Sequence, residues 1–225
     1  MTILLPIIAG IVCLISFLLL LRDVDHQREL YESGDCQEKK TGLSLPAMIY
    51  SFLCILITVA IAVFLPSLYP GNSVWINIKK MVLLAIIWPL AYIDIKTYRI
   101  PNKFILLGLI CRGAILIFEF LFAHEGIWVM LISEVIAVVA LLLACLLCVL
   151  VVKNGIGFGD MKLFIIMGLL LGTEGIWSAI FLALIVSFFI AVFVLLTKKK
   201  TSKDAIPFGP AIVIGVYLSV CLSGM

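Results

Sequence analysis

The sequence predicts an all-α membrane protein, a polytopic helical bundle of about eight transmembrane helices. Composition points there first: 64% of the 225 residues are hydrophobic, 13% are charged, and the mean hydropathy is +1.30. Soluble domains are about half apolar and about a quarter charged. The apolar residues also gather in long runs rather than amphipathic stripes, which is the pattern of helices surrounded by lipid. A soluble protein of this make-up would have almost no polar surface to present to water. Cysteine usage fits the same class. Cys13, Cys54, Cys111, Cys145, Cys148 and Cys221 lie in apolar runs, where cysteine behaves as a small hydrophobe, and only Cys36 lies in a polar segment. Cys145 and Cys148 form a CxxC, but no further His or Cys stands near to complete a zinc site.

Spanning the hydrocarbon layer takes roughly 20 apolar residues. On that basis the expected spans are 2–21, 46–65, 81–93, 103–122, 127–152, 161–172, 176–197 and 206–223, with short connections except 22–45 and 66–80. The first run has no basic start and no small-residue cleavage site, so it is read as a retained span. The expected organisation is two N-terminal helices in 1–80, joined by the loop 22–45, followed by a six-helix core in 81–225.

Lys and Arg placement sets the orientation. With the N-terminus extracytoplasmic, the inner loops and their edges collect Arg22, Arg28, Lys39, Lys40, Lys96, Arg99, Lys103, Lys153, Lys162, Lys198, Lys199, Lys200 and Lys203, against Lys79 and Lys80 outside. Arg112 is left within a span. The net charge of +3 therefore reflects topology and gives no reason to invoke nucleic acid.

Two carboxylates stand out in this apolar setting. Asp94 closes the third span, in Ala-Tyr-Ile-Asp-Ile-Lys-Thr-Tyr-Arg-Ile-Pro-Asn, and Asp160 opens the sixth, in Gly-Ile-Gly-Phe-Gly-Asp-Met-Lys-Leu-Phe. Span parity places both at the cytoplasmic side. Counted from Lys80 to Asp94 and from Glu174 back to Asp160, each lies 14 residues below an outer marker. At a rise of about 1.5 Å per residue that is roughly 21 Å in a layer about 30 Å thick, so the two share a depth somewhat inside the membrane. Pro89 and snorkelling of Lys79 and Lys80 shift this estimate by a few Å.

Ionisable groups at such depth are costly and face a cavity or a partner. Two carboxylates close together in low dielectric do not both ionise easily, so one holds a proton while the other activates water. On this reading Gly155, Gly157 and Gly159 supply irregular backbone that approaches closely around a wet cavity. The alternative is a turn whose glycines reverse the chain and whose Asp160 caps the next helix. The spacing is not that of a P-loop, and a dinucleotide fingerprint lacks its strand.

Gly157-Phe158-Gly159-Asp160-Met161-Lys162 resembles the GxGDxK signature of the type IV prepilin peptidases, a family of intramembrane aspartyl proteases. Asp94 with Arg99-Ile100-Pro101-Asn102 resembles that family's other aspartate segment, and Ile206-Pro207-Phe208-Gly209-Pro210 resembles the opening of its last helix. The resemblance covers about residue 81 to the C-terminus. It implies cleavage, at the cytoplasmic side, of the basic leader of prepilins or pilin-like proteins, with Asp94 and Asp160 as the catalytic pair. It further suggests Gly157, Gly159, Lys162, Pro101, Asn102, Pro207 and Gly209 as the substrate-binding or active-site loop, and implies no metal or cofactor. Many members carry a large cytoplasmic loop near the N-terminus, often with paired cysteines, associated with methylating the new N-terminus. Segment 22–45 is short and holds the single Cys36, so a peptidase-only form is expected.

Other polar residues have simpler expectations. The acidic segment 23–38 is read as a solvated extension of the first helix, or as an electrostatic attractor of a basic leader. Lys162 either contacts substrate and the glycine loop or snorkels to headgroups, while Lys96, Tyr98 and Arg99 anchor the inner interface. Pro101 and Asn102 suit the start of the fourth helix. Arg112 and Glu134 are expected to form an ion pair within the membrane, with Glu119 as a second partner, and His124 to be solvated in an outer turn. Two functions from other classes fit the same composition: a transporter using the two aspartates as a relay, which needs a continuous wet path, and a non-catalytic membrane subunit of a pilus or secretion assembly.

Overall fold

The structure, a computed structural model, describes residues 4–32, 45–97, 99–122, 126–151, 157–196 and 207–223. Cys36, Tyr98, His124, Gly155 and the side chains of the acidic segment 23–38 lie outside the described residues. The described chain is all helical: α1 Leu4–Glu32, α2 Leu45–Leu68, α3 Val74–Thr97, α4 Asn102–Phe122, α5 Ile127–Val151, α6 Phe158–Leu196 and α7 Gly209–Ser223. Six of these are long and apolar enough to cross a membrane, and α7 is a shorter apolar helix. The protein is a multi-pass membrane protein.

Spans six and seven, expected as separate helices, form the single element α6, broken at Gly172. That residue has φ 63° and ψ −171°, a conformation open almost only to glycine. It divides α6 into α6a (158–171) and α6b (173–196). Phe164 of α6a meets Phe208 at the start of α7, whereas Ser178 and Ala183 of α6b meet Ser219 and Gly215 of α7. Along α6b the α7 partners run backwards, so α6a runs with α7 and α6b runs against it. The glycine break does the work of a loop. The break is held from α5, where the Ser133 hydroxyl accepts the Thr173 N–H at 3.0 Å.

The connection expected over 66–80 is shorter than the sequence suggested. α2 continues to Leu68 and α3 begins at Val74, because Ser73 caps the new helix: its hydroxyl accepts the Ile76 N–H at 3.3 Å. Lys79 and Lys80, read as outer markers, are buried at 4% and 1% exposure instead. The first helix continues to Glu32, in keeping with an extension beyond the membrane.

α3 is the axis of the bundle. Nearly every residue from Asn77 to Ala91 is buried, and α1, α2, α4, α6 and α7 all pack on it. Pro89 interrupts its hydrogen-bond ladder without ending the helix. Nearby, the Leu84 and Trp88 carbonyls accept further hydrogen bonds from the hydroxyls of Tyr217 and Tyr50, at 3.4 and 3.1 Å, tying α7 and α2 to α3. α4 and α5 each bury a single stripe, Phe104, Gly108, Arg112, Ile115 and Glu119 on one, Ile127, Glu134, Ala137, Leu141 and Cys145 on the other. Their remaining faces are apolar and exposed, as lipid contact requires.

The deep charges expected to pair do so, and Lys79 joins them. Arg112 bonds Glu119 at 2.9 Å and Glu134 at 2.7 Å, while Lys79 reaches Glu134 at 2.8 Å and Glu119 at 3.1 Å. Two cations and two carboxylates thus close a buried ring across α3, α4 and α5. A cavity of about 420 Å³ lies beside it, lined by Lys79, Lys80, Glu134 and Glu174 among others.

Candidate active site

At the opposite end of the bundle from this ring, three chain segments converge on Asp94. The residue opens the last turn of α3 and is buried, 6% exposed. Its Oδ2 accepts the backbone N–H of Gly209, the first residue of α7, at 2.8 Å. The first N–H groups of a helix have no acceptor within the helix, so Gly209 has a donor to offer and the α7 dipole points its positive end at the carboxylate. The close approach explains the residue type. A Cβ at Gly209 would lie 2.8 Å from Asp94 Oδ2 and 3.3 Å from the Ala91 Cα. Phe208, the cap of α7, packs edge-on to Phe164 of α6a with ring centroids 6.2 Å apart, fixing that helix start against α6a. Pro207 precedes it, half-buried and outside the cavity lining.

Asp160 is the third residue of α6. The sequence allowed it to cap the helix or to face a site, and the geometry does both. The helix starts at Phe158, so Gly157 is the cap, and its N–H donates back to the Asp160 carboxylate. This is one half of a capping box, with aspartate in the place of glutamate and no cap side chain to return the bond. Gly159 is not irregular backbone, as expected from sequence, but part of the first helical turn. Its missing side chain serves packing: a Cβ there would sit 3.1 Å from the Ile100 Cβ. Gly157 lies just outside the helix, facing the cavity.

The two aspartates, distant in sequence, open onto one cavity of about 360 Å³ and lie within electrostatic reach of one another. Asn102, Gly157, Gly159 and Lys162 also line it. Asn102 opens α4 directly after Pro101, which is half-buried and does not line the cavity. Lys162 Nζ donates to Asn102 Oδ1 at 2.9 Å, so its ammonium ties α6 to α4. Three lining residues were missed as site residues in the sequence: Arg99, Ile100 and Phe158. Arg99 read as an interface anchor, and the signal that it belongs here was its place in the same short segment as Asn102.

This fold and this cavity define a multi-pass membrane protein that presents two carboxyl groups at one end of its bundle, each oriented by a backbone N–H. A model of the type IV leader peptidase family matches residues 81–196, just over half of the chain. The chain belongs to that family. It is 28% identical over 196 residues to a prepilin leader peptidase/N-methyltransferase of Aeromonas hydrophila, covering 85% of this chain and 63% of that protein. The Aeromonas salmonicida protein of the same description is 26% identical over the same shares, and the Bacillus subtilis one is 30% identical over 69 residues, 31% of this chain and 28% of its own. The chain thus spans under two thirds of the length of the curated relatives it matches. No solved structure matches the chain.

Proposed function

We propose that this protein is a prepilin leader peptidase: an aspartic-type endopeptidase of the cytoplasmic membrane that removes the basic leader of type IV prepilins or pilin-like proteins at the cytoplasmic side. The observation that carries the proposal is the shared cavity of Asp94 and Asp160 at one end of the bundle. In the proposed reaction the ionised carboxyl takes a proton from water, and the hydroxide adds to the scissile carbonyl carbon. The protonated carboxyl hydrogen-bonds the carbonyl oxygen as it gains charge. The tetrahedral species then collapses with cleavage of the C–N bond and transfer of a proton to the leaving nitrogen. The N–H groups of Gly209 and Gly157 orient the pair, and Arg99 and Lys162 set positive charge at the rim. Lys and Arg placement orients the N-terminus outward and this cavity toward the cytoplasm.

A relay through the membrane is disfavoured by the packing between the two polar ends. Leu83, Leu84, Ile86, Leu163 and Met167 are all at most 1% exposed there, so packed apolar side chains fill the space between α3 and α6a. Methyl transfer is not part of the proposed activity, because the connection 33–44 between α1 and α2 is short and carries one cysteine, Cys36.

The test is leader removal from a prepilin-like substrate by the purified protein, followed on a gel, with Asp94→Asn and Asp160→Asn alongside. Cleavage by wild type and by neither variant is expected. An intact leader with wild type across varied pilin-like substrates refutes the peptidase reading, and normal cleavage by either variant refutes the pairing. Mass spectrometry of the new N-terminus in the presence of a methyl donor is expected to show no added methyl group.

A further inference from the structure

α4 and α5 follow one another in the chain yet meet mainly through the Arg112–Glu134 bond, and each packs on α6. Gly108 of α4 receives Ile166, and Gly168 of α6a fits against Val138 and Leu141 of α5. The inward face of α6a, with Leu163, Met167 and Leu170, is buried against the core. Its opposite face carries Ile165 and Leu169, one helical turn apart. Both are half-buried, yet neither packs against the hydrophobic core. On the flanking helices, residues beside the buried stripes are more exposed: Leu109 on α4 at 44% and Leu142 on α5 at 39%. α6a is therefore the recessed floor of a shallow apolar groove walled by α4 and α5.

The two ends of the groove differ. At the outer end the Arg112–Glu134 bond crosses from α4 to α5. At the inner end lies the Asn102–Lys162 pair, whose members also line the aspartate cavity. Between Asn102 and Arg112 the groove is roughly 15 Å long at about 1.5 Å per residue.

From this continuity we infer that the groove holds the apolar helix of the substrate, with the scissile bond passing inward beside Lys162 to Asp94 and Asp160. This rests on the peptidase reading above. A chain cut in the cavity has to leave it on both sides of the bond. The part that continues into the membrane has to be apolar and helical, since lipid leaves backbone polar groups no other partner. The groove presents the same order of chemistry: apolar at membrane depth, polar at the cavity, open to water beyond it. A lipid chain or a second copy of this protein would fit the apolar part alone and would have no need of the cavity end.

The experiment places a photo-crosslinking side chain at Leu109 or Leu169 in the full-length Asp160→Asn protein, with Phe52 on the exposed face of α2 as control. A full-length prepilin-like substrate is added in vesicles, and wild type is assayed for cleavage in parallel. Adducts to the substrate's apolar helix are expected from Leu109 and Leu169 at yields at least ~10-fold above Phe52, corresponding to about 1.4 kcal/mol of preference. Equal yields from Phe52, adducts to lipid only, or adducts between two copies of the protein, with wild type cleaving normally, overturn the groove and leave the peptidase reading standing. Failure of wild type to cleave any such substrate overturns the peptidase reading and the groove with it.

Discussion

Two polar clusters sit at opposite ends of one apolar bundle, and they handle charge in opposite ways. In the outer ring each of Lys79, Arg112, Glu119 and Glu134 meets two partners of opposite sign, so the buried charge sums to zero. At the inner end Asp94 and Asp160 have no cation bonded to them in the described contacts; each accepts a backbone N–H, from Gly209 and Gly157. The nearby ammonium of Lys162 is taken by Asn102. Side-chain pairing spends a charge on holding helices together, whereas backbone dipoles orient a carboxylate and leave it able to exchange a proton. The first cluster ties helices together, whereas the second leaves two carboxyl groups with backbone partners alone, as the proposed chemistry requires.

Substitutions that break one cluster should therefore leave the signature of the other untouched. The largest contrast is between Asp160→Asn and Glu134→Ala. Asp160→Asn is expected to lower leader removal by on the order of 10²–10⁴-fold, the range that a positioned acid or base supplies, with little change in thermal unfolding. Glu134→Ala is expected to cost about 3–5 kcal/mol of stability, because it leaves two buried cations sharing the single carboxylate of Glu119. Thermal unfolding in detergent reads that loss, and the surviving folded fraction should cleave at a near-normal rate. Replacing Lys79, Arg112, Glu119 and Glu134 together by apolar residues of similar volume should be far less harmful than any single removal.

Smaller effects sharpen the same division. Gly209→Ala forces a Cβ against Asp94 Oδ2 and disturbs a hydrogen bond to a charged group, worth roughly 1.5–3 kcal/mol. Its loss should show in kcat rather than in KM, since the reacting group is misplaced while the groove is intact. Gly172→Ala belongs to the other class: at φ 63° a side chain adds strain of about 1–3 kcal/mol, read as a lower unfolding temperature. The smallest expected effect is that of Asn102→Ala, which loses one exposed hydrogen bond to Lys162, about 1 kcal/mol or less, measurable as a modest drop in kcat/KM.

Much of this was legible in the residues because lipid leaves so few choices. Apolar runs marked the helices, and the rarity of charge within them made Asp94, Asp160, Arg112 and Glu134 visible at once. The partners of these groups were less legible. Lys79 and Lys80 looked like interface residues because a lysine near a helix start usually is one, and only the packed bundle shows them buried, Lys79 against Glu119 of α4 and Glu134 of α5. Gly209 was visible as part of a proline- and glycine-rich opening, but its N–H bond to Asp94 was not. Gly159 read as a loop residue, whereas it packs inside a helix against Ile100.

The sequence by itself determined a helical membrane bundle and a family signature around two carboxylates, since hydropathy and motif spacing act locally along the chain. Tertiary structure decided what those carboxylates touch. Which backbone N–H meets Asp94, which cation closes the outer ring and which face of α6a stays uncovered all depend on helices far apart in sequence. Such contacts are fixed by packing, which no local pattern encodes.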